Sequence, residues 1–183
     1  VGIGSSGQMQ YVQRGLHGLG GGVVAVLNDR DATHVPRILP HIICYVCSRN
    51  RTIIKADLLA RPTNWNLSPQ EKEGMLFAPL CFSLIQEQEF RNIFYHRIGF
   101  ARHFLNILLP RISSMRLCSH IGPGFYPVHS YSTIINGRAW IGKNCSVMHN
   151  VTIGIGKGGV PTIGDNVHIG AGAIILGGIT IGN

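Results

Sequence analysis

The chain has 183 residues, 45% of them apolar, so it is long enough to bury a substantial core as one large domain or two small ones. Sixteen Lys and Arg face eight Asp and Glu, a formal net charge of +8 that favours an anionic partner such as a nucleotide-like cofactor. No Lys/Arg run or base-stacking signature marks a nucleic-acid binder, no apolar run has transmembrane length, and five Cys are an odd number for a disulfide framework, so a cytoplasmic site is the default.

Residues 1–34 are Gly-rich, with Gly20-Gly21-Gly22, and no periodicity runs through them. Residues 1–50 are therefore expected to be a poorly defined leader. Within it, residues 38–47 (ILPHIICYVC) are apolar and ambiguous between a strand and a buried helix. Cys44 and Cys47 form a lone CxxC with no second pair at zinc-ligand spacing, so no metal is expected.

Residues 51–117 read as an α-helical region. Ser68-Pro69-Gln70-Glu71 places a cap, a first-turn proline and an acid three residues after the cap, the start signal of a helix over 69–86. Pro79 is expected to kink or end that helix. Residues 87–109 predict a second helix, with Phe90, Ile93, Phe94, Arg97, Ile98, Ala101, Leu105 and Leu108 near one face and Pro110 as its stop. Phe100, Phe104, Ile107 and Leu109 widen the apolar arc. Packing against a neighbouring element accounts for that arc; docking on a membrane surface through Arg91, Arg97, Arg102 and Arg111 is the competing reading.

Residues 118–183 carry a six-residue beat. Ile135, Ile141, Val147 and Ile153 are six apart, and Ile163, Ile169, Ile175 and Ile181 repeat the spacing after one ten-residue step. Gly follows at Gly142, Gly154, Gly164, Gly170 and Gly182. Ala139, Cys145, Val151, Val167, Ala173 and Ile179 sit four residues after an anchor. A six-residue period predicts a parallel β-helix: each hexad is a short strand plus a corner, the anchor points inward, and glycine turns the corner. One hexad cannot bury its anchor alone, so the coils must stack. Residues 121–132 form two imperfect hexads, and Thr133 and Ile134 are taken as two extra residues before the clean beat. The loop from Gly154 to Thr162 is a four-residue insertion that must bulge from one corner. The chain opens without Met and stops at Asn183 inside a repeat, so the β-helix is expected to be truncated at its C-terminal end.

The stretches VHSYSTIINGRAWIGKNCSVMHNVTIG (128–154) and IGDNVHIGAGAIILGGITIG (163–182), with the preceding segment EFRNIFYHRIGF (89–100), resemble the hexapeptide-repeat acyltransferases, and among them serine O-acetyltransferase and related O-acetyltransferases. The resemblance implies a left-handed β-helix with three hexads per coil, preceded by helices. It implies a cytoplasmic homotrimer with active sites between subunits, acetyl-CoA as donor, a small-molecule hydroxyl acceptor, and a place in cysteine biosynthesis. His129 falls where that family carries its catalytic His, and Ala171, with Gly170 beside it, where it contacts the CoA arm. Two departures stand out: Val128 replaces an acid that precedes the catalytic His, and the loop has Lys157 in place of an Arg-His pair.

With three hexads per coil, Pro127, Val147 and Ile169 should stack in one column. His129, His149 and Ala171, each two residues further on, should then line one wall at about 5 Å per coil. Acetyl transfer to a hydroxyl needs a base, and a His with a free pKa of roughly 6.5 suits that role. His129 is the first candidate. His149 is the second, as orienter or base. Lys157 in the Gly-rich loop is a candidate phosphate or substrate contact, although the loop lacks the GK[ST] ending of a P-loop. Two other classes compete: an O-acetyltransferase of sugars for surface polysaccharide, and a non-catalytic trimeric scaffold. A zinc hydratase on the same fold would need a third His beside His129 and His149, and none is obvious.

Overall fold

The computed structural model describes residues 35–61 and 77–182. Five α-helices are described: α1 (Val35–Cys47), α2 (Arg51–Leu59), α3 (Phe77–Gln86), α4 (Gln88–Ile98) and α5 (Arg102–Leu108), with a 3-10 turn at Gly99–Ala101. Residues 38–47 thus resolve to helix. The proposed cap at Ser68-Glu71 lies outside the described residues. Pro79 is the third residue of α3, which continues past it to Gln86; residues 69–76 of the expected helix lie outside the described residues, so the expected kink or end at Pro79 stays an expectation.

The single helix expected over 87–109 is two helices. Gly99 takes φ 67 and ψ −123, a conformation closed to most side chains, and the chain turns there. The turn leaves α4 as the central helix of the bundle, with Phe90, Ile93, Phe94 and Tyr95 fully buried. Three of its polar side chains, Arg91, Asn92 and Arg97, are buried too, and each one ties off backbone elsewhere. Arg91 donates to the carbonyls of Leu84, Ile85 and Pro110. Asn92 bonds both the N–H and the carbonyl of Ile112. Arg97 meets Asp57 from α2 at 2.8 Å and also donates to the carbonyls of Ile121 and Gly122. Asp57 in turn accepts from the backbone N–H of Phe125. Arg91 and Arg97, which only the competing reading gave to a membrane surface, are therefore interior groups, and that reading loses half its cations.

Among the described residues ten short strands follow: β1 (His120–Ile121), β2 (Tyr126–Pro127), β3 (Ile134–Ile135), β4 (Trp140–Ile141), β5 (Ser146–Val147), β6 (Thr152–Gly154), β7 (Thr162–Ile163), β8 (His168–Ile169), β9 (Ile174–Leu176) and β10 (Thr180–Ile181). They pair in parallel into three sheets, ordered β1-β4-β7-β10, β2-β5-β8 and β3-β6-β9. This is a left-handed parallel β-helix of about three turns preceded by helices. Each sheet takes every third strand, so strand contacts run between coils. The anchors point inward: Ile135, Ile141, Val147, Ile153, Ile163 and Ile169 are buried in register, with Ile141 over Ile121 and under Ile163. Burying each such side chain is worth roughly 1.5–3 kcal/mol, which one isolated hexad could not collect. Ala139, Cys145 and Val151 fill the converging corners and are fully buried. Ile179, the branched member of that set, is 45% exposed in the outermost described coil.

Glycine serves these coils differently from the sequence expectation. Among the hexad glycines quoted above, only Gly182 has a positive φ. The left-handed corner positions fall instead on residues such as Asn144, Asn150 and Asn166. Gly122, Gly142 and Gly164 stack directly. A Cβ on Gly122 would lie 2.5 Å from the Gly142 carbonyl carbon, and one on Gly142 would lie 2.6 Å from that of Gly164. Gly122 and Gly142 are glycine because the coils approach too closely there for a side chain. The helical bundle and the β-helix share one core, through Ile112, Met115, Cys118, Ile121 and Phe125.

Candidate functional site

The sheet β2-β5-β8 and the corner after it carry the candidate residues. Pro127, Val147 and Ile169 stack in register as expected. The wall above them is built differently. Between β2 and β5 partners are twenty residues apart (Pro127 to Val147), and between β3 and β6 eighteen (Ile135 to Ile153), so the lower coil holds two extra residues between its strands. The hydrogen bonds locate them. Gly172 N–H donates to His149 carbonyl, but Asn150 N–H donates to Tyr131 carbonyl, so Tyr131 and not His129 occupies the slot beneath His149. The extra residues are His129 and Ser130, not Thr133 and Ile134. The column is Tyr131, His149, Ala171.

This places His129 on an extruded corner. Its φ is 45, its carbonyl accepts from Tyr131 N–H at 2.8 Å, and its side chain is exposed. Ser130 folds inward and is fully buried, with an Oγ that finds no partner. Ser132, also at positive φ, donates its N–H to Ser114 Oγ on the segment entering the β-helix. His149 is half-buried, and its Nδ1 is buried without a hydrogen-bond partner. A buried ring nitrogen left unsatisfied is costly, so it is a group waiting for a donor or acceptor. One coil higher, Gly170 and Ala171 are exposed, and a Cβ on Gly170 would touch nothing within 4 Å. That open backbone is accessible to a long, thin ligand arm.

Lys157 does not join this wall directly. Its loop closes on itself through reciprocal Gly156–Gly159 backbone bonds, and Gly178 N–H then donates to Lys157 carbonyl at 3.0 Å. Gly158 lies against Gly178 so closely that a Cβ on Gly178 would stand 2.6 Å from the Gly158 carbonyl carbon. The insertion bulges, as expected, but it is strapped to the next coil by its backbone, and the Lys157 side chain is exposed at its tip. Among the described residues no three His, Cys, Asp or Glu side chains converge as they would around a metal ion. No described helix is long and apolar enough to cross a membrane.

Sequence reasoning missed two polar contacts, one docking the helices on the first coil and one on the outer face of this sheet. Asp57 and Arg97 are forty residues apart, and nothing in either local pattern announces the pair. Ser146 Oγ and His168 Nδ1, 2.6 Å apart on the outer face of the same sheet, were invisible for the same reason.

Ladder and corner geometry define a hexapeptide-repeat left-handed β-helix. No protein-family profile matches the chain. The particular resemblance is to the serine acetyltransferases. The mitochondrial serine acetyltransferase 3 of Arabidopsis thaliana is 48% identical over 66 residues, which is 33% of this chain and 17% of that protein. The Neisseria gonorrhoeae serine acetyltransferase, solved in complex with serine, superposes with a TM-score of 0.53 at 28% identity over 73% of this chain and 57% of that one. The Brucella abortus strain S19 serine acetyltransferase, solved in complex with coenzyme A, shares the fold with a TM-score of 0.56 at 19% identity over 88% of this chain and 73% of that one. The chain thus spans well under two thirds of the Arabidopsis and Neisseria relatives.

Proposed function

We propose that the chain carries the transfer site of an acetyl-CoA-dependent O-acetyltransferase of the serine acetyltransferase type. The observation that carries this reading is the 48% identity over 66 residues to a serine acetyltransferase. The exposed, protruding imidazole of His129 supports it. His129 acts as general base. It takes the proton of the acceptor hydroxyl as that oxygen bonds to the thioester carbonyl carbon, the carbon–sulfur bond breaks, and the proton passes to the departing sulfur. The acceptor leaves as an ester and the donor as a free thiol. No covalent enzyme intermediate is required.

His149 borders the same corner with its unpartnered Nδ1 and orients the reacting groups. Gly170 and Ala171 form the open wall along which the CoA arm runs, and Lys157 offers a cation for its phosphates. Copies of the chain associate as a trimer. Ile134 and Ile174, on the outer face of β3-β6-β9, are 49% and 70% exposed and supply an apolar interface. A sugar hydroxyl is the second acceptor class. It is favoured by Val128 beside His129 and by a loop with Lys157 but no His. Thiol release from acetyl-CoA against serine, homoserine and nucleotide sugars tests the reading and names the acceptor. Release that depends on one acceptor is expected; no acceptor-dependent release from folded protein would sink it.

A further inference from the structure

A polar cavity lies where the helices meet the first coil of the β-helix, and the acetyl-transfer reading does not use it. It encloses about 440 Å³ between α4, the start of α5 and the segment that enters the first coil. Arg102, Arg111 and Arg116 line it, with His96, Asn92 and Ser113. The described ion pairs join Arg61 to Glu87 and Arg97 to Asp57, so none of these three arginines is neutralised by a carboxylate among the described residues.

Their backbones are held firmly. Arg102 N–H bonds the carbonyls of Gly99 and Phe100. Arg111 N–H donates to Asn106 Oδ1 at 3.0 Å. Arg116 is a rung of the solenoid: its N–H donates to Thr133 carbonyl and its carbonyl accepts from Ile135 N–H. Three cations from three separately anchored segments thus border one cavity. His96 reports the local field. Burial, and then the charges of Arg97 and Arg102, push its pKa down to about 4.

We propose that this cavity is a binding site for a phosphate-bearing small molecule. Three guanidinium groups suit the several oxygens and multiple charge of a phosphate ester or pyrophosphate better than the single charge of one carboxylate. The volume lies within the range of small-ligand sites. Arg116 lies under Ile134, Thr152 and Ile174 in turn, so its rung is one below the coil that carries His129 and three, about 14 Å at roughly 4.8 Å per rung, below the coil that carries Ala171. Two sources of the ligand share this chemistry: the phosphates of CoA itself, and a separate phosphorylated metabolite.

The test is calorimetric titration of the full chain with pyrophosphate, alongside Arg111→Gln, Arg116→Gln and the double variant. The substituted side chains are exposed, and unchanged circular dichroism melts would confirm intact folding. Saturable binding is expected, weakened about tenfold by each substitution, the loss of one charge-assisted hydrogen bond. In the wild type, bound pyrophosphate should also raise the His96 pKa, read from its ring resonances. CoA that displaces pyrophosphate would assign the site to the donor; CoA that binds alongside it would assign the site to a separate ligand. Absence of saturable binding in wild-type protein, or equal binding in the double variant, overturns the proposal whatever the outcome of the acetyl-transfer assay.

Discussion

Replacing Gly142 by alanine is expected to cost about 3 kcal/mol of stability, at the upper end of overpacking effects. The new Cβ would stand 2.6 Å from the carbonyl carbon and oxygen of Gly164, and closer still to Asp165 Oδ1. Ordinary carbon contacts need roughly 3.5–4.0 Å, so the coils must separate locally by about 1 Å. That separation stretches the bond from Gly142 N–H to Ile163 carbonyl, now 2.9 Å, out of useful range, at about 1 kcal/mol for each bond lost. Gly170→Ala is the control. It changes the same residue type in the same kind of repeat, but into open space, and should shift stability by less than about 1 kcal/mol. Urea denaturation midpoints of both variants decide the matter. Equal stability of Gly142→Ala and wild type would refute close coil approach as the reason for glycine at this position.

Three further outcomes follow from the packing. Asp57→Ala leaves buried Arg97 and Phe125 N–H without their acceptor and should cost about 3–5 kcal/mol; a loss below about 1 kcal/mol would show that the pair is not what joins bundle to β-helix. His41 is fully buried between Arg37 carbonyl and Tyr95 Oη, and burial lowers its pKa to about 4 from an unfolded value of 6.5. The unfolded chain therefore binds this proton first, so the contribution is complete above about pH 6.5 and is lost as pH falls toward 4, up to about 3 kcal/mol in all. Urea melts at pH 7 and pH 4.5 should show that loss, reduced in His41→Leu; a flat wild-type profile would contradict it. For the proposed trimer, Ile134→Asp should lower the sedimentation coefficient toward that of a single chain without unfolding it, and an unchanged coefficient would contradict a subunit contact at this face.

The β-helix was legible because its signal is local and repeated: a wrong frame for the inward Ile and Val anchors would turn every one of them outward. Where the period breaks, that logic fails. Two extra residues had to fall between Pro127 and Ile135, and hydrophobicity could not choose between His129-Ser130 and Thr133-Ile134. The ladder bond from Asn150 to Tyr131 chooses, and it moves the candidate base from a stacked wall to a protruding corner. The helix break at Gly99 was hidden because Phe100, Phe104 and Ile107 continue the apolar pattern while standing exposed. The competing membrane reading of Arg91 and Arg97 arose for the converse reason: charged residues on a helix read as surface unless their partners are known, and theirs are backbone carbonyls and one distant Asp.

The central claim, that His129 is the base of an acetyl transfer, is tested most directly by acceptor-dependent thiol release in wild type and His129→Ala. The side chain is exposed on a corner, so its removal should leave the fold and CoA binding intact. The account predicts a rate lower by about 10²–10⁴-fold with unchanged CoA affinity. An undiminished rate in a variant that still binds CoA would contradict it and give the proton to another group.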